Sequence, residues 1–297
     1  MSNPYIVSCE STADMPASFF EERNIPVVLF HFILDGREYD DDMGKTISFE
    51  RFYQMMKDEG AEPTTALPSV AQYQEAFRPL LDAGNDILHI SFSSGLSGGY
   101  QSACIARDIL KEEYPDRKIL IVDSLGASSG YGLFVTAVDD RMKEGMPIDT
   151  AYDWAMANRL KVHHWFFSTD LTNYLRGGRI SRTSYQVGKI LNICPLLNMD
   201  NLGRLIPRFK YPGKKRAIRE CVERMKEHAQ NGLNYSGRVY ISNSGCPDDA
   251  AAVRDLVQAS FPNIQGHILI NSIGTVIGSH TGPGTVALFF FGDERID

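Results

Sequence analysis

Three short apolar segments of this chain are each followed by a serine-rich turn and then by a helical pattern. The clearest is Asp86–Phe92, which continues into the turn Ser93–Gly99 and then into apolar residues at helical spacing. Tyr5–Ser8 and Lys118–Asp123 predict two more strands of this kind. Strands that alternate with helices favour a mostly parallel sheet with helices on both faces, and such sheets bind ligands at the carboxyl ends of their strands. The serine-rich turns are therefore predicted to form a site at one edge of the sheet.

The pattern predicts two domains. A chain of 297 residues is long enough for two domains of roughly 100–200 residues each. Residues 1–158 are predicted to form an α/β domain with the mostly parallel sheet, and residues 159–297 a smaller α/β domain with a mixed sheet. Because small-molecule sites commonly lie between domains, we expect the ligand to bind between these two.

Several local predictions bear on the site. Ile25–Leu34 predicts one strand, and Ser48 is expected to cap the helix that follows it. The two prolines within residues 63–69 predict a loop outside regular structure, and the glycines within residues 278–284 predict a second loop. The acidic run Asp40–Asp42 is expected to be solvated rather than to hold a metal ion.

The composition excludes several classes of function. A net charge of −7 argues against nucleic acid or an anionic membrane surface as the main partner. No apolar run approaches the roughly 20 residues of a membrane span, and the first residues lack the features of a signal peptide. The five cysteines are scattered without a CxxC pair, which predicts reduced thiols in the cytoplasm and neither a zinc cluster nor another cofactor.

The turn Ser93–Gly99 allows three interpretations. Backbone N–H groups and serine hydroxyls at the start of a helix suit a carboxylate or a phosphate. The segment also fits the nucleophile elbow of serine hydrolases loosely, with Ser97, Asp248 and His280 in the required order. A plain structural turn is the third interpretation.

Two further motifs carry basic or titratable residues. Arg176 and Arg179 flank a pair of glycines, which is typical either of a surface turn or of a guanidinium placed for an anion. His280 lies among glycines, which favours a ligand contact over a turn residue, whereas His89 within a predicted strand is expected to be a core residue.

Together these motifs resemble the DegV family of fatty-acid-binding proteins, which serve as the lipid-carrying subunit of bacterial fatty acid kinase. Glu10 stands where that family usually has Asp. The resemblance covers nearly the whole chain, and its motifs are Ser11–Pro16, Thr65–Ser69, Ser94–Ser102, Val122–Ser124, Leu175–Ser181 and His280–Gly284.

The resemblance implies that a long-chain fatty acid is buried between the domains with its carboxyl group held by Thr65 and Ser97. Ser94 and Ser11, in the same set of turns, are also predicted to bind the carboxylate. Three further residues are predicted at the mouth or facing the partner: His280, Thr281 and Arg179.

The resemblance also implies a protein without turnover of its own. A separate ATP-binding kinase subunit, related to dihydroxyacetone kinase, would phosphorylate the bound acid to an acyl phosphate. A lipid sensor or scaffold without a kinase partner is the alternative within the same ligand class. The apolar stretch Val187–Met199 is expected either to line the acyl tail or to form ordinary core.

Overall fold

The computed structural model describes residues 4–182, 185, 193–264 and 266–296. The strands are β1 (Tyr5–Glu10), β2 (Val27–Val28), β3 (His31–Leu34), β4 (Arg37–Asp40), β5 (Thr64–Ala66), β6 (Asp86–Ser91), β7 (Ile119–Asp123), β8 (Val162–Ser168), β9 (Ile193–Met199), β10 (Leu205–Pro212), β11 (Val239–Asn243), β12 (Ile268–Ser272) and β13 (Thr285–Phe291). The helices are α1 (Ala17–Arg23), α2 (Phe49–Asp58), α3 (Val70–Asp82), α4 (Gly99–Glu113), α5 (Ser128–Lys143), α6 (Ile148–Asn158), α7 (Thr172–Arg176), α8 (Lys214–His228), α9 (Pro247–Ser260) and α10 (Thr275–Thr281).

The first half of the chain forms a four-stranded parallel sheet in the order β2-β1-β6-β7. All six residues of β6 are buried, because helices cover both faces of the sheet. Helices α3 and α4 pack on one face, and α5 and α6 pack on the other. The predicted mostly parallel sheet with helices on both faces is confirmed.

The second half forms a six-stranded mixed sheet in the order β10-β9-β8-β13-β11-β12. Helices α8 and α9 cover one face, and α5 packs against β8, β11 and β13 on the other. Since α5 also packs against β1, it lies between the two sheets. Its first twelve residues, Ser128–Asp139, are all buried, as expected of a helix enclosed on every side.

A third, three-stranded antiparallel sheet has the order β4-β3-β5 and corrects two predictions. Ile25–Leu34 is not one strand, because the chain bends after β2 and β3 joins the smaller sheet. At the bend, the backbone N–H of Phe30 donates to the Ser11 hydroxyl (3.1 Å). The segment 63–69 is not entirely a loop either, because Thr64–Ala66 pairs with β3 as strand β5.

Serine residues cap the starts of two helices. The Ser48 hydroxyl accepts from the N–H of Arg51 (3.2 Å), as predicted for the cap of α2. Ser69 and Gln72 form a reciprocal capping box at the start of α3.

The four-stranded and three-stranded sheets come from residues 5–123, and the six-stranded sheet comes from residues 162–291. The division into domains at residues 158 and 159 stays a prediction. Among the described residues, no helix has both the length and the apolar content needed to cross a bilayer.

Candidate functional site

A cavity of about 370 Å³ lies where the two larger sheets, β5 and α10 meet. Its volume falls within the range of small-molecule sites. Two residues of its lining, Leu67 and Gly98, are exposed and mark its opening. The apolar part of the wall comes mainly from Phe30, Phe92, Leu96, Phe166, Met199, Leu205, Ile273, Val276, Ile277, Ala287 and Phe289.

One face of the six-stranded sheet forms part of the cavity wall. Phe166 pairs directly with Ala287, and His164 with Phe289, in the β8–β13 ladder. Because side chains alternate across a strand, these paired residues share one face and all four line the cavity. His164 adds no charge to this wall, because burial, assisted by the cation Arg295, holds the pKa of its imidazole well below the usual range.

Five of the seven residues predicted for the head group and mouth line this single cavity. They come from β5, from the turn after β6, from the turn after α7 and from the end of α10. The five are Thr65, Ser97, Arg179, His280 and Thr281. The structure thus brings together residues that are up to 216 positions apart in the chain.

The centre of this group is a hydrogen bond between Thr65 Oγ1 and Nε2 of His280 (2.8 Å). Burial, assisted by the charges of Arg179 and Arg176, lowers the pKa of His280 to about 3. The imidazole is therefore neutral near pH 7, and it can donate from Nε2 to Thr65. Among the described residues, nothing pairs with the buried Nδ1 of His280.

His280 lies in the last turn of α10, so the loop predicted for residues 278–284 is wrong for its first half. The carboxylate of Asp41 accepts from both the N–H (3.2 Å) and the hydroxyl (2.6 Å) of Thr275, which fixes the first turn of α10. Asp41 is buried, contrary to the prediction of a solvated acidic run. Burial raises the pKa of its carboxyl group.

The turn in which Arg176 and Arg179 flank two glycines packs directly on His280. A side chain at Gly177 would overlap Nδ1 of the His280 ring, so only glycine allows this approach. Arg179 extends from the same turn and donates to the backbone oxygen of Leu96 (2.9 Å), beside Ser97. Its guanidinium is thereby held at the cavity wall, and burial lowers its pKa from the ordinary value.

The hydroxyls of Ser97 and Thr281 are available to a ligand. Ser97 Oγ accepts from the N–H of Gly99 (3.2 Å), which leaves its own proton free to be donated. Thr281 Oγ1 is buried, and no described group forms a hydrogen bond with it. The five predicted residues that line the cavity therefore offer three hydroxyls, a neutral imidazole and a guanidinium, a set that suits an anion.

The comparisons identify the family of this chain. The model of a family described as "Uncharacterised protein, DegV family" matches residues 6–293. The chain belongs to the DegV family. A DegV domain-containing protein of Clostridium perfringens is 35% identical over 291 residues, which is 98% of each chain.

Two solved structures of DegV proteins resemble this one closely. The first, described as showing fatty acid binding of a DegV family protein from Thermus thermophilus, is 29% identical, with a TM-score of 0.85 over 99% of this chain and 100% of that chain. A DegV lipid-binding protein from Thermotoga maritima is 25% identical, with a TM-score of 0.83 over 98% of this chain and 99% of that chain.

Two of the predicted carboxylate residues lie outside the cavity of this DegV chain. Ser11 is buried, and its hydroxyl accepts from Phe30 at the bend between β2 and β3. Ser94 is held by its backbone, whose N–H donates to the carboxylate of Asp123 (3.1 Å). Neither residue lines the cavity, so the structure does not bring them to the other five.

The prediction for the acyl tail named Val187–Met199. Residues 186–192 lie outside the described part of the chain. Of the described remainder, Met199 lines the cavity, whereas Leu196 belongs to the core beneath α8 and α9. Part of the apolar wall comes from β8 and β13, which contribute Phe166, Ala287 and Phe289. The apolar runs of these two strands were the signal that the sequence offered for it.

The sequence did not indicate the role of Glu10, which is fully buried beneath the serine-rich turn of this DegV chain. Its carboxylate accepts from the N–H of Phe92 (2.8 Å) and from Nε2 of His89 (3.0 Å). The hydroxyls of Tyr73, Ser91 and Tyr131 also donate to it. Although burial acts to raise the pKa of Glu10, His89 and the hydroxyls of Tyr131 and Ser91 lower it below the ordinary value. This network fixes the end of β6, from which the turn carrying Ser97 begins.

The serine hydrolase interpretation lacks the acidic residue of its catalytic triad. Asp248 is exposed in the first turn of α9 and does not line the cavity. A catalytic histidine needs an acceptor at its second ring nitrogen to hold the correct tautomer. Among the described residues, His280 has none at Nδ1.

Proposed function

We propose that this protein binds a long-chain fatty acid in the cavity and presents its carboxyl group to a separate ATP-dependent kinase subunit, without turnover of its own. The observation that carries the proposal is an apolar cavity whose opening is lined by Thr65, Ser97, His280 and Arg179. The fatty acid binding described for the relative from Thermus thermophilus supports the same ligand class.

The head group would be held by a short chain of donors. His280 Nε2–H donates to Thr65 Oγ1, which turns the threonine proton toward a carboxylate oxygen. Ser97 donates its free proton to the same carboxylate, and Arg179 supplies positive charge close by. Hydrogen bonds to a charged group contribute about 1.5–3 kcal/mol each, and they offset the cost of desolvating the carboxylate.

The tail would supply most of the affinity. A C16 chain removes about fifteen CH₂ or CH₃ groups from water at ~0.8 kcal/mol each, or roughly 12 kcal/mol in total. Association costs about 4–15 kcal/mol in lost freedom, so the polar contacts orient the ligand and decide the remaining affinity.

The position of the opening supports the proposed presentation to a kinase. Leu67 is 41% exposed at the rim, next to the strand that carries Thr65. Gly98 is exposed beside Ser97. The carboxylate would therefore lie near the surface while the tail points toward buried residues such as Met199 and Phe289. A partner that covers the rim could transfer phosphate to the carboxylate without removing the tail.

Binding is tested on purified, delipidated protein by titration with palmitate, and on freshly purified protein by native mass spectrometry. We expect a fatty acid to copurify and palmitate to bind one to one. The double variant Thr65→Ala, Ser97→Ala should bind palmitate more weakly but retain much of its affinity for hexadecanol, which lacks the carboxylate. A protein that contains no lipid and does not bind palmitate would refute the binding proposal.

The kinase role needs a separate experiment. The loaded protein is mixed with an ATP-binding subunit related to dihydroxyacetone kinase, and acyl phosphate is trapped with hydroxylamine. We expect product only when both proteins are present, and no release of p-nitrophenol from p-nitrophenyl palmitate by this protein alone. Tight palmitate binding without acyl phosphate would leave a lipid carrier or sensor and remove the kinase role.

A further inference from the structure

Three potential metal ligands meet at a place that is separate from the fatty-acid cavity. Nε2 of His163 lies 2.9 Å from Oδ1 of Asp293, and Nδ1 of His228 lies 3.2 Å from the same oxygen. One ligand atom from each of the three residues lies within 4.8 Å of the others. None of the three lines the cavity.

The backbone holds these residues in place. His163 is on β8, His228 ends α8, and Asp293 follows β13. The N–H of Asp293 donates to the backbone oxygen of His228 (3.0 Å). A side chain at Gly292 would overlap that same oxygen, so glycine permits the close approach of the two segments.

The donor set matches the chemistry of a divalent transition metal. Two imidazoles and one carboxylate are ligands typical of zinc, which binds them at about 2.0–2.2 Å and often keeps a water as fourth ligand. Nε2 of His163 and Nδ1 of His228 both lie within hydrogen-bond distance of the same carboxylate oxygen, so a ligand atom of each ring already reaches one place.

The site is open to an incoming ion. The side chain of Asp293 is 60% exposed and that of His228 is 33% exposed, whereas that of His163 is 4% exposed. The cation Arg295 acts on His163 from the interior, but its guanidinium donates to backbone oxygens such as that of Leu125 (2.9 Å). The buried histidine thus anchors the site, and the two outer ligands can adjust around an ion.

We propose that His163, His228 and Asp293 form a binding site for a divalent transition metal such as Zn²⁺. On binding, each coordinating ring nitrogen gives its lone pair to the ion, and a proton that it carries moves to the other ring nitrogen or to water. The carboxylate then binds the ion instead of accepting from the two rings. The metal would link the end of α8 to β8 and to the chain after β13, and so stabilise the C-terminal segment.

The full-length protein is titrated with Zn²⁺ by calorimetry, and its melting temperature is followed as Zn²⁺ is added. We expect saturable one-to-one binding and a rise in melting temperature. His228→Gln and Asp293→Asn change exposed ligands, so both variants should fold. Each should weaken Zn²⁺ binding by at least about tenfold, a loss seen even for outer-shell changes at metal sites. The exposed His267 provides the matched control, because His267→Gln should bind Zn²⁺ as the wild type does.

Co²⁺ gives a second measurement that is independent of stability. A four-coordinate site should give intense visible absorption with Co²⁺ in the wild type and in His267→Gln, and weak absorption in the two ligand variants. The proposal is overturned if the wild type does not bind Zn²⁺, or if His228→Gln and Asp293→Asn bind it as tightly as the wild type. Palmitate affinity should be the same with and without Zn²⁺, so this test does not depend on the proposed function.

Discussion

Replacing Thr65 with valine removes one hydroxyl from the proposed head-group site and nearly preserves the shape of the side chain. In the free protein, His280 Nε2 then loses its partner at 2.8 Å in a largely buried position. Leaving such a group unpaired costs about 1–3 kcal/mol, so the free energy of unfolding should fall by that amount.

The effect of this substitution on binding has a different origin. The unpaired imidazole is present in both the free and the bound variant, so its cost largely cancels in the affinity. What remains is the hydrogen bond from Thr65 to a charged carboxylate, worth about 1.5–3 kcal/mol. Since 1.4 kcal/mol is a factor of ten, palmitate affinity should fall by roughly 12-fold to 140-fold.

Calorimetric titration of delipidated Thr65→Val with palmitate and with hexadecanol distinguishes loss of the carboxylate contact from a general loss of lipid binding. Thr64→Val is the matched control, because Thr64 is the exposed neighbour on the same strand and does not line the cavity. Affinity for hexadecanol should change much less than affinity for palmitate. Equal losses for the acid and the alcohol would refute the assignment of this hydroxyl to the carboxylate.

Three further predictions concern the groups around the site. Gly177→Ala should displace the ring of His280 and weaken palmitate binding in a titration, whereas Gly178→Asn, at a backbone position with φ of +71° that asparagine tolerates, should bind nearly as the wild type does. Glu10→Gln should lower the free energy of unfolding by about 3–5 kcal/mol near pH 7 in urea denaturation. Because the pKa of Glu10 is lowered in the folded state, that difference should shrink as the pH falls below about 4.5, and a constant difference would contradict the ionised network. The pKa of His280 falls from 6.5 to about 3 on folding, so the unfolded chain takes up a proton in this range that the folded one does not. The stability of the wild type relative to His280→Asn should therefore decrease as the pH falls from 6.5 to about 3. A pH-independent difference would show that this histidine is not buried as a neutral group.

The local sequence was sufficient for the class of the fold, and five of the seven residues predicted for the site lie in one cavity. Apolar runs followed by serine-rich turns predicted β1, β6 and β7 and their parallel sheet, because burial on both faces and turn chemistry are properties of short segments. The motifs that resemble the DegV family named Thr65 and Ser97, which the structure places in one cavity.

Only the tertiary structure decided which of the predicted residues share the cavity. Ser94 belongs to the same turn as Ser97, and Ser11 belongs to a similar turn. The contact with Asp123 and the bend after β2 nevertheless leave the two serines outside the cavity. The helical state of His280 depends on Asp41, a contact over more than 230 positions that no local pattern contains.

The apolar wall of the cavity was likewise decided by the tertiary structure. His164 and Phe289 face the cavity side by side because β8 and β13 pair in one register, although 125 positions separate them in the chain. A single sequence records how each segment alternates and where it turns. Long-range pairing fixes which strands become neighbours. The cavity between the two sheets therefore exists only once both sheets have formed around α5.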